Sequence, residues 1–448
     1  MRRKTFWIAA VCITAAAGLL PAFSSGAAPS AKEKVLYSFR GGTDGAYPWS
    51  DLTMDSAGNL YGTTSSGGST TACSGQGCGT VFELKRTSSG WKEEILYSFT
   101  GSNSGGEFPQ AGVIFDAAGN LYGTTLLGGT DCNYGCGTVF ELKRTADGWK
   151  ESTLYNFTGG NDGDEPAADL VFDTAGNLYG TTMVGGNEIG SAQCNRVGCG
   201  AVFELMPNQN GTWTEKTVYT FAGAPDGGTP VQGLTLDPAG NAYGVTETGG
   251  TGQCGGGYHF YQGCGALYKL TPQSGGTWTE AVIYSFYRGD ATGFYPSGGL
   301  LLDKDGHLRG TTWDGGNGVG TIFDLHESKN VWEQRNPHLF YGDPDGRWPI
   351  GKLAQDAQGN LFGVTTSPQP GGGSCVELGG KSCIVFELEP NGDSHWTEKI
   401  LHTFAGTDGD GFAPQAGPVL GPGGHLYGTT QYGGSDSCGC GTVYEITP

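Results

Sequence analysis

The sequence predicts an all-β protein, a seven-bladed β-propeller of four-stranded blades, and three observations carry that prediction. A hairpin string, Gly58-Asn59-Leu60-Tyr61-Gly62-Thr63-Thr64, recurs at 119–125, 176–182 and, more divergently, at 240–246, 306–312, 359–365 and 424–430. Each copy belongs to a fixed series of short strands rich in Thr, Val, Tyr, Phe and Trp, the residues that suit a pleated surface. The series is also split between the two ends of the chain. Val35-Leu36-Tyr37-Ser38-Phe39 is a fourth strand with no unit before it, and the seventh unit stops after its third strand at Glu445-Ile446. An open solenoid has no reason to divide a repeat in this way, whereas a propeller closes its ring when the N-terminal strand completes the last blade. The competing architecture, a string of independent small all-β domains, fails because a lone four-stranded sheet of this size cannot bury both faces.

Within a unit the strands follow from local chemistry. An apolar inner strand such as Leu52-Thr53-Met54-Asp55 meets the recurring string through a tight Asp-x-x-Gly-Asn turn, begun by Asp55, Asp116, Asp173, Asp237 and Asp356. There the Asp accepts backbone N–H bonds and the Gly supplies positive φ. A Gly-Gly loop then leads to the third strand, Gly79-Thr80-Val81-Phe82-Glu83-Leu84 and its counterparts from Gly137, Gly200, Gly265, Gly320 and Gly441. The fourth strand carries Trp-x-Glu, as in 91–99, 149–157, 213–221, 278–286 and 396–404. In a blade wound outward, the loop from fourth to first strand and the loop from second to third strand fall on one side of the disc. Those two loops are the distinctive ones here.

Composition bounds the rest. The 448 residues include 84 Gly, 21 Pro and 13 Cys, with 37% hydrophobic and 11% aromatic residues, enough for a core. The net charge of −20 argues against nucleic acid, whose phosphates need a basic face. Residues 1–27 read as a signal peptide: Arg2, Arg3 and Lys4 precede an apolar run from Ile8 to Leu20, and Ser25, Gly26 and Ala27 offer a cleavage site. A short leader, 28–33, and one propeller domain, 34–448, are expected to follow. Without the three basic residues of the signal, the formal charge is −23. No later stretch approaches 18 apolar residues, so a secreted monomer without a transmembrane anchor is expected.

The inter-blade loops share a Gly three residues before a Pro, and five read Asp-Gly-x-x-Pro, with Asp44, Asp162, Asp226, Asp345 and Asp410. The simplest role for these Asp is turn formation. The alternative is Ca²⁺ ligation, for which Asp162 with Asp164 and Asp408 with Asp410 come closest, although no loop has the alternating ligands of a calcium site. The cysteines beyond Cys12 fall as Cys73/Cys78, Cys132/Cys136, Cys194/Cys199, Cys254/Cys264, Cys375/Cys383 and Cys438/Cys440, one pair in every unit but the fifth. Export and local pairing predict disulfides, each contributing about 2 kcal/mol through loop closure. Zinc would need four ligands, and each loop brings two without a His. Cys438/Cys440 is the exception, because a Cys-x-Cys ring is strained and allows other pairings.

Leu-Tyr-Ser-Phe, Asp-Gly-x-x-Pro, Asp-x-x-Gly-Asn-Leu-Tyr-Gly-Thr-Thr and Gly-Cys-Gly-Thr-Val-Phe-Glu-Leu, taken together, resemble the GloVer (Gloeo/Verruco) tandem repeat of exported bacterial proteins. The resemblance spans essentially the whole chain after the signal. It implies export and a propeller-like repeat, and it brings no chemistry or catalytic residues.

Catalysis needs one asymmetric site, whereas a residue present in every blade serves the blade. Glu83, Glu141, Glu204, Glu387 and Glu445 recur and so read as structural, as do the Trp-x-Glu tryptophans. His307 and His425 replace the turn Asn, and His402 replaces the Tyr of the fourth strand. No catalytic residue is assigned. Specificity is expected where the repeat breaks: Tyr258, His259, Phe260 and Tyr261 in the long fourth-unit loop, and Trp313 and Asp314 in the cysteine-free fifth unit. The sequence thus favours a non-enzymatic binding or scaffolding protein for an extracellular glycan or protein, with no cofactor beyond the Ca²⁺ alternative. A polysaccharide hydrolase or lyase acting at the central funnel is the second reading. The two differ in whether carboxylates converge near the axis or only line the rim.

Overall fold

A computed structural model describes residues 31–448 apart from 70, 102–104, 131, 133–134, 187–193, 195–196, 255–262, 290–291, 317, 367–374, 376–381, 393–394 and 408. Seven antiparallel sheets follow one another along the chain, each built from the strands the repeat predicts. In the first blade these are Thr53–Met54, Leu60–Thr64, Thr80–Thr87 and Gly90–Ser98, running from inner to outer edge. The seventh blade contains Val419–Leu420, Leu426–Thr430 and Thr442–Thr447, and its outer strand is Lys32–Ser38. That N-terminal strand pairs from Lys32 opposite Thr447 to Ser38 opposite Thr442. The ring therefore closes as the split repeat requires, and no sheet edge is left at that seam. The strand starts two residues before the expected domain boundary at 34, which makes Glu33 a strand residue.

Local hydrogen bonds explain the hairpins. Asp55 Oδ1 accepts from the backbone N–H groups of Ala57 and Asn59, both at 2.9 Å, and Asn59 Nδ2 donates to Asp55 Oδ2. Asp116, Asp173 and Asp237 repeat the arrangement. Blades are joined by rings. Phe39, Phe99, Phe157, Phe221, Phe286, Phe340 and Phe404 end the fourth strands and are fully buried. Each packs edge-on against a third-strand ring of the next blade, with centroids 4.9–5.4 Å apart. Trp213 and Tyr122, Trp278 and Tyr179, and Trp332 and Tyr243 make further contacts between neighbouring blades, so these tryptophans serve packing.

The glycine before each third strand has a steric reason. Gly79 takes φ +99°, and a Cβ there would lie 2.5 Å from Pro109 Cδ of the next blade. The two distinctive loops pair directly: Gly106 with Gly128, Gly227 with Gly249, Gly411 with Gly433, and Phe294 with Asp314. They therefore share one face of the ring. Cys73–Cys78, Cys132–Cys136, Cys194–Cys199, Cys254–Cys264, Cys375–Cys383 and Cys438–Cys440 are all disulfide-bonded, and the last pair is joined despite its tight spacing. No helix among the described residues is long and apolar enough to cross a membrane.

Candidate functional site

The inner strands begin just after the inter-blade prolines and converge on the axis. Three residues beyond each proline the seven blades place Asp51, Gly112, Asp169, Gly233, Gly299, Lys352 and Gly417. Four of these are glycines, and at Gly112, Gly233 and Gly417 the neighbouring strand nearly touches. A Cβ on Gly233 would lie 2.5 Å from the Asp169 carbonyl oxygen, one on Gly112 would lie 2.9 Å from that of Asp51, and one on Gly417 would collide with that of Lys352. Asp51, Asp169 and Lys352 break this ring with charge.

Asp169 Oδ1 accepts from the Gly112 backbone N–H at 2.6 Å, which orients it. No donor reaches Asp51 Oδ1. Enclosure within the channel, together with the like charge and hydrogen-bonding reach of Asp169, pushes the Asp51 carboxyl well above the usual range, while Lys352 and the Gly417 backbone oppose that shift. Asp51 therefore holds its proton more tightly than an ordinary aspartate.

Above this constriction a pocket of about 320 Å³ opens on the axis. Trp49, Tyr295 and Trp313 line it with rings, and Gln110, Gln232 and Gln415 line it with amides. Ring faces, carboxamides and a carboxyl pair in one concavity suit a ligand with many hydroxyls and an apolar face.

Of the residues expected from sequence, Trp313 belongs to this pocket, and its ring stacks on Trp348 with centroids 6.3 Å apart. Asp314 lies next to it and accepts from the Gly315 N–H at 2.9 Å. Tyr258, His259, Phe260 and Tyr261 lie outside the described residues, as does Asp408. Asp162 Oδ2 accepts from Tyr155 OH at 3.0 Å and from the Thr158 N–H at 2.8 Å. Asp410 Oδ2 accepts from the Ala405 N–H at 2.6 Å. Asp164 is half-buried, and burial raises its pKa. The recurrent Glu83, Glu141 and Glu204 accept from Tyr61, Tyr122 and Tyr179.

Asp51, Asp169 and Lys352 were missed in the sequence, although aligning the third position after each loop proline exposes them as three exceptions in a glycine column. In the fifth blade Arg309 and Asp324 stand where the first, second, third and seventh blades have Tyr and Glu. Arg309 Nε donates to Asp324 at 3.1 Å and Arg309 Nη1 to Asp303 at 2.8 Å, an internal ion network that replaces the usual hydrogen bonds.

The Gloeobacter/Verrucomicrobia repeat matches residues 23–258. No curated protein matches this sequence. Among solved structures, a gluconolactonase from Xanthomonas campestris is similar at 13% identity, with 74% of this chain and 83% of that one covered and a TM-score of 0.38. A triple mutant of AofleA from Arthrobotrys oligospora is similar at 11% identity, covering 86% and 92%, with a TM-score of 0.41. A protein of unknown function from Dyadobacter fermentans is similar at 12% identity, covering 83% and 98%, with a TM-score of 0.39.

Proposed function

We propose that this chain, which belongs to the Gloeobacter/Verrucomicrobia repeat family, is an exported propeller that binds a hydroxyl-rich ligand of the carbohydrate class in its axial pocket. The observation that carries this reading is the broken glycine ring. A purely structural constriction would repeat one small residue seven times, and here two carboxyl groups and one ammonium group occupy it beneath three aromatic rings. Six disulfides support export, because such bonds persist in oxidising compartments.

One observation favours the hydrolase or lyase reading as well. Asp51, with its pKa raised by burial and by the neighbouring Asp169, puts two carboxyl groups together at the axis, the convergence that reading requires. One experiment separates the two. A glycan array is probed with the disulfide-bonded protein and with Asp51→Asn/Asp169→Asn, and bound glycans are then incubated and analysed by mass spectrometry. Binding that falls at least tenfold in the double variant, with the glycan recovered intact, supports the binder; cleaved glycan supports the enzyme. Failure to bind any glycan, or unchanged binding by the variant, removes the axial pocket from the account.

A further inference from the structure

A second group of residues lies away from the axis, at the junctions between blades, and is independent of the axial reading. At each junction a ring on the outer strand of one blade faces the following loop and the outer strand of the next blade. Five of these rings are tyrosines, and two are histidines, His338 and His402. At three tyrosine junctions the hydroxyl donates to the loop Asp, Tyr37 to Asp44, Tyr155 to Asp162 at 3.0 Å and Tyr219 to Asp226 at 3.1 Å, whereas Tyr97 and Tyr284 donate to Glu151 and Gln334 of the next blade.

At the two histidine junctions both carboxylates of the motif are present. His402 Nε2 stands 3.3 Å from Asp410 Oδ1, and the Glu33 carboxylate lies within 4.8 Å of both. His338 Nε2 stands 3.1 Å from Asp345 Oδ1 and 3.9 Å from Glu398 Oε1. In each cluster the second Asp oxygen is already used by a backbone N–H, from Ala405 or from Tyr341. The buried Oε1 atoms of Glu33 and Glu398 have no hydrogen-bond donor.

We propose that His402, Asp410 and Glu33, and equivalently His338, Asp345 and Glu398, are two binding sites for a divalent transition metal of the Zn²⁺ class. Ligands about 2.1 Å from a tetrahedral ion lie about 3.4 Å apart, so the observed separations need only small side-chain adjustments. One imidazole nitrogen with two carboxylates is a donor set for Zn²⁺ and its neighbours, whereas Ca²⁺ and Mg²⁺ prefer oxygen alone. Metal would replace the Nε2 proton, which is released to solvent. The His402 cluster lines a surface pocket of about 700 Å³, which gives the ion an entry path and leaves room for water as the fourth ligand. Glu93 and Glu280 carry the same orphaned oxygen at tyrosine junctions. A phenol offers no nitrogen ligand there, so those junctions lack the imidazole that the two histidine clusters supply.

The simpler account is that each imidazole only replaces the tyrosine hydroxyl as hydrogen-bond partner of the loop Asp. His338→Tyr and His402→Tyr restore the residue used at the other five junctions, so both variants are expected to fold. Protein stripped with EDTA and titrated calorimetrically with ZnCl₂ should take up two equivalents. Each single variant should take up one and the double variant none, with Tm in EDTA unchanged and the zinc-induced rise in Tm lost only in the double variant. CaCl₂ and MgCl₂ should give no comparable binding. The proposal is overturned if the wild-type chain takes up no zinc, if uptake survives in the double variant, or if calcium binds as tightly.

Discussion

At the rim of the ring one contact is made seven times, while at the axis one small residue is used four times and replaced by charge three times. The rim contact is a buried phenylalanine of one blade against a third-strand ring of the next, from Phe39 on Phe82 to Phe404 on Tyr444. The axial position holds Gly112, Gly233 and Gly417 where strands crowd, a fourth glycine at Gly299, and Asp51, Asp169 and Lys352 elsewhere. The difference separates scaffold from site. Packing is energetically additive around a ring, so each blade needs the same contact, whereas a ligand is met once and needs only one asymmetric patch.

The comparison breaks most visibly at the seam. Deleting residues 28–40 removes the outer strand of the seventh blade and exposes a sheet edge, so a large drop in Tm or aggregation is expected in a thermal melt. A truncated chain that melts like the intact one would mean the ring does not depend on its closing strand.

Next in size is the rim contact itself. Phe157→Ala, which removes a fully buried ring from Phe203, should cost about 3–5 kcal/mol in denaturant unfolding and leave ligand affinity untouched. Asp51→Asn/Asp169→Asn should do the reverse, with stability held or raised because a like-charge pair is relieved. If both variants lose stability equally, axis and rim are one structural unit.

A smaller effect concerns pH. Burial, reinforced by Asp44, Asp162 and Asp226 respectively, raises Glu93, Glu215 and Glu280 to about 7. These carboxyls bind protons more tightly in the folded chain. Their stabilisation is therefore complete below the ordinary value of 4.5 and is lost as pH rises to about 7. Asp55 and Asp237 behave oppositely: despite partial burial, the hydrogen bonds of the Asp-x-x-Gly-Asn turn hold them below 3.8, and their contribution is lost as pH falls through their lowered pKa. Tm should rise by a few degrees from pH 8 to about pH 5 and fall again in stronger acid. Glu93→Gln/Glu215→Gln/Glu280→Gln should flatten the alkaline side only; an unchanged slope would place its cause elsewhere.

The smallest expected effect is that of calcium on the loop aspartates. Asp162 and Asp410 already accept hydrogen bonds within their turns, so Ca²⁺, Mg²⁺ and NaCl at matched ionic strength should shift Tm by the same small amount. A calcium-selective rise abolished by Asp408→Asn/Asp410→Asn would make these turns ligands.

Much of the scaffold was legible because its determinants are local. Asp55, Gly58 and Asn59 form their turn from neighbouring atoms, the cysteines pair within single loops, and the divided repeat states how the ring closes. The candidate sites were less legible. His402 could be seen to replace a tyrosine, but nothing in its neighbourhood along the chain points to Glu33, which stands 369 positions away and reaches it only through the seam.

The sequence by itself determined the strand order, the blade number, five of the six disulfide pairs and the closing strand, because repetition encodes each within about one blade's length. Only the tertiary structure decided that Asp51 and Asp169 meet on the axis and that Glu33 and Glu398 meet histidines of preceding blades. Those neighbours are set by the curvature of the whole ring, which brings residues from different repeats together at spacings no single repeat contains.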